Sequence, residues 1–239
     1  MQPQIIVGIP GLWKTRTEIV QSIVSDSGGL VFAVAVIMDT KTKEGYPLHI
    51  YEHDSQLAKA FQIAGQGRIP EQTIAQINAH TFTLYCIVPE VSTEAARKML
   101  ALVSALLKCG GLAAKVETTG VAHSAERWNE LAAGGEPFDL YCGFVTLIGG
   151  DGVFYSCGMH NFGLPDACVD RSLDLNEAAN LLNQFNCYQI AESPRFSDGH
   201  TFSVGQNTPR FVLRKAECRF FPPDDYFFNP HGVWHLKSA

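Results

Sequence analysis

Two Gly-Gly-Leu steps, Gly28-Gly29-Leu30 and Gly110-Gly111-Leu112, each end a helical stretch and open an apolar extended one. Each helix is itself preceded by a β-rich run closed by proline, Pro10 in the first case and Pro89 in the second. Glycine accepts the left-handed backbone that follows a helix end, so the steps read as helix stops. Strand, proline, helix, Gly-Gly-Leu, strand, written twice, confines the chain to an α+β architecture in which helices cover a sheet.

Local signals fill in this frame. Ile5 to Ile9 reads as a strand, and Thr15-Arg16-Thr17-Glu18 as a capping box ahead of Ile19, Val20, Ile23 and Val24. Leu30 to Met38 is apolar on both faces, which predicts one strand buried on both sides or central in its sheet. Tyr46 to Tyr51 alternates as a strand. Asp54 or Ser55 then caps a helix with Leu57, Ala60, Phe61 and Ala64 on one face, stopped by Gly65-Gln66-Gly67. A short helix from Glu71 to Asn78 follows Pro70, and Thr81 to Val88 returns to strand. Ser92 caps the clearest helix, carrying Met99, Leu100, Val103, Leu106 and Leu107 at helical spacing.

Beyond it, Leu112 to Glu117 reads as a strand and Ser124 as the cap of a helix bearing Trp128 and Leu131. Asp139 to Ile148 and Val153 to Ser156 read as a hairpin through Gly149-Gly150-Asp151-Gly152. Asp174 caps a helix from Leu175 to Phe185, Phe211 to Phe221 alternates as a late strand, and the aromatic tail Phe227 to Trp234 must pack on something. The expected fold is α+β: two ferredoxin-like βαββαβ-type units, open to reading as an ancient duplication and packed as one body. The units span residues 1–90 and 91–239, with a soft boundary because no Pro-, Gly- or Ser-rich linker separates them.

At 239 residues the chain removes roughly 70–75% of its extended surface from water, so its core needs no disulfide or metal staple. A net charge of −6 gives no general attraction to phosphates or anionic lipid, and no nucleic-acid or membrane partner is expected. Arg210, Arg214 and Lys215 fall in an alternating run that reads as the wet face of a strand. Seven cysteines without CxxC spacing, and no basic-then-apolar leader after Met1, predict a reducing, cytoplasmic home. The longest apolar run, Leu30 to Met38, is too short to cross a bilayer.

Chemistry concentrates in Phe154 to Asp166, where Cys157, His160 and Asp166 lie within ten residues. One reading makes Cys157 a nucleophile, His160 or His200 its base and Asp166 the group that orients the imidazole, which would give a thiol-dependent hydrolase or transferase. The other makes Cys157 a buried thiol, His160 and Asn161 turn residues, and Asp166 a partner of loop amides. A metal reading adds Cys168, His200, His231 or His235 to Cys157 and His160, but the paired spacing of zinc sites is missing. His200 stands at the rim of an Asp198-Gly199 turn, and His49, His53, His80 and His123 are unclustered. Gly8 to Trp13 lies between strand and helix but lacks the P-loop lysine and the third glycine of the dinucleotide fingerprint, which leaves Trp13 to plug a gap between sheet and helix. No cofactor is expected.

With these residues in view, the chain resembles a bacterial family of uncharacterised proteins known only as a domain of unknown function. The resemblance lies in Gly8-Ile9-Pro10-Gly11-x-Trp13, Gly110-Gly111, Gly120-x-x-His123-Ser124-x-x-x-Trp128, Ser156 to Asp166, Gly199-His200-Thr201-Phe202 and Asn229-Pro230-x-Gly232-x-Trp234. It covers nearly the whole chain and implies no activity, cofactor or site residue. The expectation is a protein that binds a small molecule or a protein partner around Cys157, His160, Asp166 and His200, with thiol catalysis or an immunity or regulatory interaction module as alternatives.

Overall fold

The apolar alternation of the first ninety residues resolves into strands that share one sheet. The computed structural model describes residues 3–150 and 152–239; the Asp151 position of the expected hairpin turn lies outside them. Strand β1 (Ile5–Gly11) is central, flanked by β5 (Phe82–Val88) and β6 (Ala113–Val116), and the sheet order is β2-β3-β4-β5-β1-β6-β7 with antiparallel pairing throughout. The remaining strands are β2 (Leu30–Ala33), β3 (Val36–Asp39), β4 (Gly45–Glu52) and β7 (Val121–Ser124).

Helix α1 (Arg16–Asp26) begins where the capping box predicts, with the Thr15 hydroxyl accepting from the Glu18 amide at 3.1 Å and Glu18 reaching back to the Lys14 amide at 2.7 Å. Helix α4 (Thr93–Lys108) is capped by Ser92 in the same way. Their apolar faces, Ile19 and Ile23 with Met99, Val103 and Leu106, close over Ile5, Val7, Ile9, Leu84 and Cys86 in the main core. Trp13 fills the gap beside them, its indole N–H donating to the Cys109 carbonyl at 2.7 Å. With the β2–β3 hairpin, α2 and α3 inserted between them, β1, α1, β4, β5, α4 and β6 follow a βαββαβ order along the chain and lie side by side as β4-β5-β1-β6. Both Gly-Gly-Leu steps feed this one sheet, and β6 and β7, beyond residue 90, complete it.

Helices α2 (Leu57–Gly65) and α3 (Glu71–Asn78) pack on the opposite face against Ala113 and Ala122. Then follow α5 (Ala125–Gly134), α6 (Pro137–Phe144), β8 (Thr146–Gly150), β9 (Val153–Cys157), a 3₁₀ turn at Met159–Phe162, β10 (Asp166–Asp170), α7 (Leu175–Glu192), β11 (Thr201–Phe202), β12 (Phe211–Ala216) and β13 (Val233–Ser238). The second sheet, β11-β12-β13-β10-β9-β8, has β10 and β13 parallel and does not repeat the strand order of the first. Helix α7 covers it through Ala178, Leu181, Leu182 and Phe185, and the aromatic tail packs there as β13, with Trp234 in the same cluster.

Two expectations are overturned. Leu30–Met38 is not one buried strand but the β2–β3 hairpin at the edge of the first sheet, with Val34 at its tip fully exposed. Its apolar letters do not distinguish burial on two faces from an edge hairpin. Asp139–Phe144 is helix, not strand, because Pro137 occupies a first-turn position and Glu136 and Asp139 form a capping box around it. Among the described residues no helix is long and apolar enough to cross a membrane.

Candidate functional site

Cys157 ends β9 with its side chain inside the protein, only 1% exposed. Gly158 follows with φ at 131°, a region that disfavours any side chain, and a Cβ there would collide with the Phe144 carbonyl oxygen. This turn swings the chain into Met159–Phe162, so that His160 and Asn161 are buried rather than held out to solvent. Burial pushes the Cys157 thiol well above its ordinary value, and the nearby Asp166 carboxylate adds to that shift. A thiol so placed presents no thiolate to a substrate.

Asp166 is the hub of the motif. Its Oδ1 accepts from the Ser156 hydroxyl at 3.2 Å and the Met159 amide at 3.1 Å, and its Oδ2 from the Asn229 side-chain amide at 2.7 Å. Asn229 also donates to the Leu164 carbonyl at 3.0 Å and accepts from the His231 amide at 2.9 Å. The carboxyl therefore ties β9, the 3₁₀ turn, β10 and the loop before β13, and among its partners is no imidazole. Burial raises its pKa to about 7 in spite of these donors, with the Asn229 hydrogen bond the strongest opposing effect.

His160 donates from Nε2 to the Thr118 carbonyl at 3.0 Å, since a carbonyl can only accept, and burial drops its pKa to about 4. The ring is neutral, and its buried Nδ1 lone pair has no protein partner. The Thr118 hydroxyl in turn donates to the Asn161 side-chain oxygen Oδ1 at 2.8 Å. The Thr119 hydroxyl, the Asn161 amide and the His231 Nε2 are likewise buried without partner, so unpaired polar atoms gather at this junction between the two sheets. Beside them lies a cavity of about 130 Å³ lined by Thr118, His160, Asp225, Tyr226 and His231.

His200 is not brought to this site. It is exposed, accepts at Nδ1 from the Ser197 amide at 3.3 Å, and precedes the edge strand β11. Three strand spacings, about 14 Å at roughly 4.8 Å each, separate β11 from β10. Among the described residues no three His, Cys, Asp or Glu side chains are grouped to hold a metal ion, so Cys157, His160, Cys168, His200, His231 and His235 do not assemble into a centre.

What the sequence did not single out is the open face of the first sheet. Opposite α1 and α4, strands β1, β4 and β5 present Ile6, His49, Tyr51, Thr83 and Tyr85 to a groove of about 650 Å³. Tyr51 and Tyr85 meet edge to face with ring centres 5.4 Å apart, and Gly8, paired with Tyr85 in the ladder, leaves room for the Tyr85 ring. At one rim His53 packs against His80, ring centres 4.6 Å apart and planes tilted by 34°. Tyr226 lines both this groove and the cavity beside His160, so the two adjoin. Among the described residues their charged lining side chains are Glu52, Asp54 and Asp225, with no lysine or arginine. The signal was present in the alternation: His49 and Tyr51 interleave with Leu48 and Ile50, and Thr83 and Tyr85 with Leu84 and Cys86.

A family model described as a domain of unknown function (DUF4261) matches residues 155–236. The matched segment supplies Asp166, His160, Tyr226 and His231, whereas the sheet face and Thr118 precede it. The motifs before residue 155, from Gly8–Trp13 to Gly120–Trp128, lie outside the match, so the resemblance is shown for residues 155–236 alone. No curated protein and no solved structure matches the chain.

Proposed function

We propose that this chain is a small-molecule binding protein whose ligand is a ring-bearing organic cation, held on the open face of the first sheet and against the His160 and His231 cavity. One observation carries the reading: groove and cavity adjoin at Tyr226, and among the described residues their lining holds three carboxylates, four histidines and no lysine or arginine. Tyrosine faces attract a cation by about 0.5–2 kcal/mol according to how dry the contact is, and carboxylates supply the opposing charge. The neutral His160 and His231 rings can accept hydrogen bonds from a donor group, which a protonated imidazole could not. Thiol catalysis is disfavoured by the sealed position of Cys157.

The test is a titration followed by amide chemical shifts. Benzylamine is expected to shift Thr83, Tyr85, Tyr226 and His231 in a saturable manner, and the response should weaken several-fold in Tyr226→Ala and in the Glu52→Gln, Asp54→Asn double variant. Benzoate should leave these amides in place. A benzylamine titration that moves none of them, or moves them equally in the variants, rejects the reading.

A further inference from the structure

A second cleft, on the side of the first sheet covered by α2 and reaching α6, has the opposite electrostatic character. We infer that this cleft, between the end of α2, the start of α5 and α6, binds a small organic oxyanion, its phosphate or carboxylate head held by Arg68 and Arg127. It encloses about 430 Å³, and among the described residues its lining includes Arg68, His123, Arg127, Phe138 and Asn183 but no aspartate or glutamate. That lack is not a matter of composition, because acids outnumber bases 24 to 18 in the chain.

The two guanidiniums converge although they come from elements far apart in sequence. Both depress the ionisation of His123, after the larger effect of its burial, and both bear on the Cys142 thiol. Arg68 follows the left-handed Gln66 that ends α2, and its side chain makes two long contacts to neutral acceptors, Nε to the Gly65 carbonyl at 3.3 Å and Nη2 to the Gln66 side chain at 3.4 Å. It has no carboxylate partner among the described residues. Arg127 spends one Nη1 bond on Glu130 at 2.9 Å, an exposed pair one helical turn away. Such an exposed pair holds the side chain only weakly and leaves the rest of the guanidinium fork open.

The nearby acids are already engaged. Glu126 bonds its own amide and the Ser124 hydroxyl, and Asp139 accepts from the Glu136 amide at 3.2 Å. The N-terminus of α5 is therefore occupied by the protein's own side chains, and the arginine pair is what remains to take an anion. Planar guanidinium forks match carboxylate and phosphate oxygens two at a time. The volume exceeds that of a bare oxyanion and falls among those of small-molecule sites. Phe138, half exposed, together with Val145 and Leu147 gives the body of the ligand an apolar wall.

Isothermal titration of the full chain at low salt, with phenyl phosphate and with benzoate, tests the inference. Saturable binding of phenyl phosphate, weakened tenfold or more in Arg68→Gln and in Arg127→Gln and unchanged in the control Arg219→Gln, supports it. Benzoate binding with the same dependence supports it too and makes carboxylate the preferred head. The His123 ring resonances should move with either ligand, while the amides of Thr83 and Tyr85 stay put, which separates this cleft from the groove. Absence of saturable binding for both anions, or binding indifferent to both arginine substitutions, overturns it.

Discussion

His160 and His123 are a matched pair in unlike settings. Each ring is 6% exposed, each holds a backbone carbonyl with Nε2, Thr118 at 3.0 Å and Gly143 at 3.3 Å, and burial brings each to a pKa of about 4. Yet, among the described residues, His160 sits with unpaired neutral polar atoms beside a cavity whose one charged lining side chain is Asp225, whereas His123 shares its cleft with two guanidiniums and no lining acid. The difference teaches that a neutral buried imidazole says little by itself. The sign of the surrounding charge decides which ligand the place can take. The two places also touch through the chain, since Gly143 and Phe144 adjoin at the end of α6 and the Phe144 carbonyl abuts Gly158.

That junction is where the comparison can be broken most severely. Gly158→Ala puts a methyl into the Phe144 carbonyl and strains a φ of 131°, so it should cost about 3 kcal/mol or more in urea unfolding and disturb both histidines together. A variant with the wild-type midpoint would show that the 3₁₀ turn is not packed against α6 in this way.

Asp166→Asn acts on one side only. It turns the oxygen that accepts from Asn229 into a donor facing a donor, an error worth about 1–3 kcal/mol. Its pH dependence is the sharper readout. The Asp166 pKa is raised from 3.8 to about 7, so the folded protein keeps a proton that the unfolded chain releases, and this contribution to stability is lost as pH rises through that window. His160 and His123 fall from 6.5 to about 4, so their contribution is complete above 6.5 and is lost as pH drops toward 4. The slopes oppose each other in the wild type. In Asp166→Asn only the histidines remain, so stability should climb more steeply between pH 4 and 6.5, and the penalty of the substitution should be smaller at neutral pH than in acid. Equal penalties at pH 4.5 and 7.5 would mean that Asp166 does not titrate in this range.

How much of this was legible follows from the reach of each signal. Capping residues and glycine stops act within one turn, and Thr15, Ser92, Ser124 and Asp174 all cap the helices expected of them. The assembly of Asp166 with Ser156, Met159 and Asn229 spans up to 63 residues, and Asn229, although it opens the Asn229-Pro230-x-Gly232-x-Trp234 motif, carried nothing that tied it to Asp166. His200 looked equivalent to His160 in sequence, but strand order, which single residues do not encode, sends it to the far edge of the second sheet. Arg68 and Arg127 went unnoticed because neither belongs to a charge run; α2 and α5 bring them together only after β7 pairs with β6. Asp139–Ile148 failed for a nearer reason, since an apolar run behind a proline supports strand and helix equally until the capping box is weighed.

The smallest expected effect lies far from both histidines and serves as their control. Val34 occupies the first of two central positions in the β2–β3 hairpin with φ at 61°, and Ala35 is not among the positive-φ residues. Of the two-residue hairpin turns, the one with positive φ at the first position alone takes glycine there. A β-branched side chain in that region is strained, and here no burial offsets the strain, since Val34 is fully exposed. Val34→Gly should therefore stabilise the fold, by up to about 1 kcal/mol once the added freedom of the unfolded glycine is subtracted. It should do so without moving the His160 or His123 ring resonances or the binding of benzylamine or phenyl phosphate. If the substitution instead weakens the fold, the strain relieved at a φ of 61° is smaller than the freedom glycine adds to the unfolded chain.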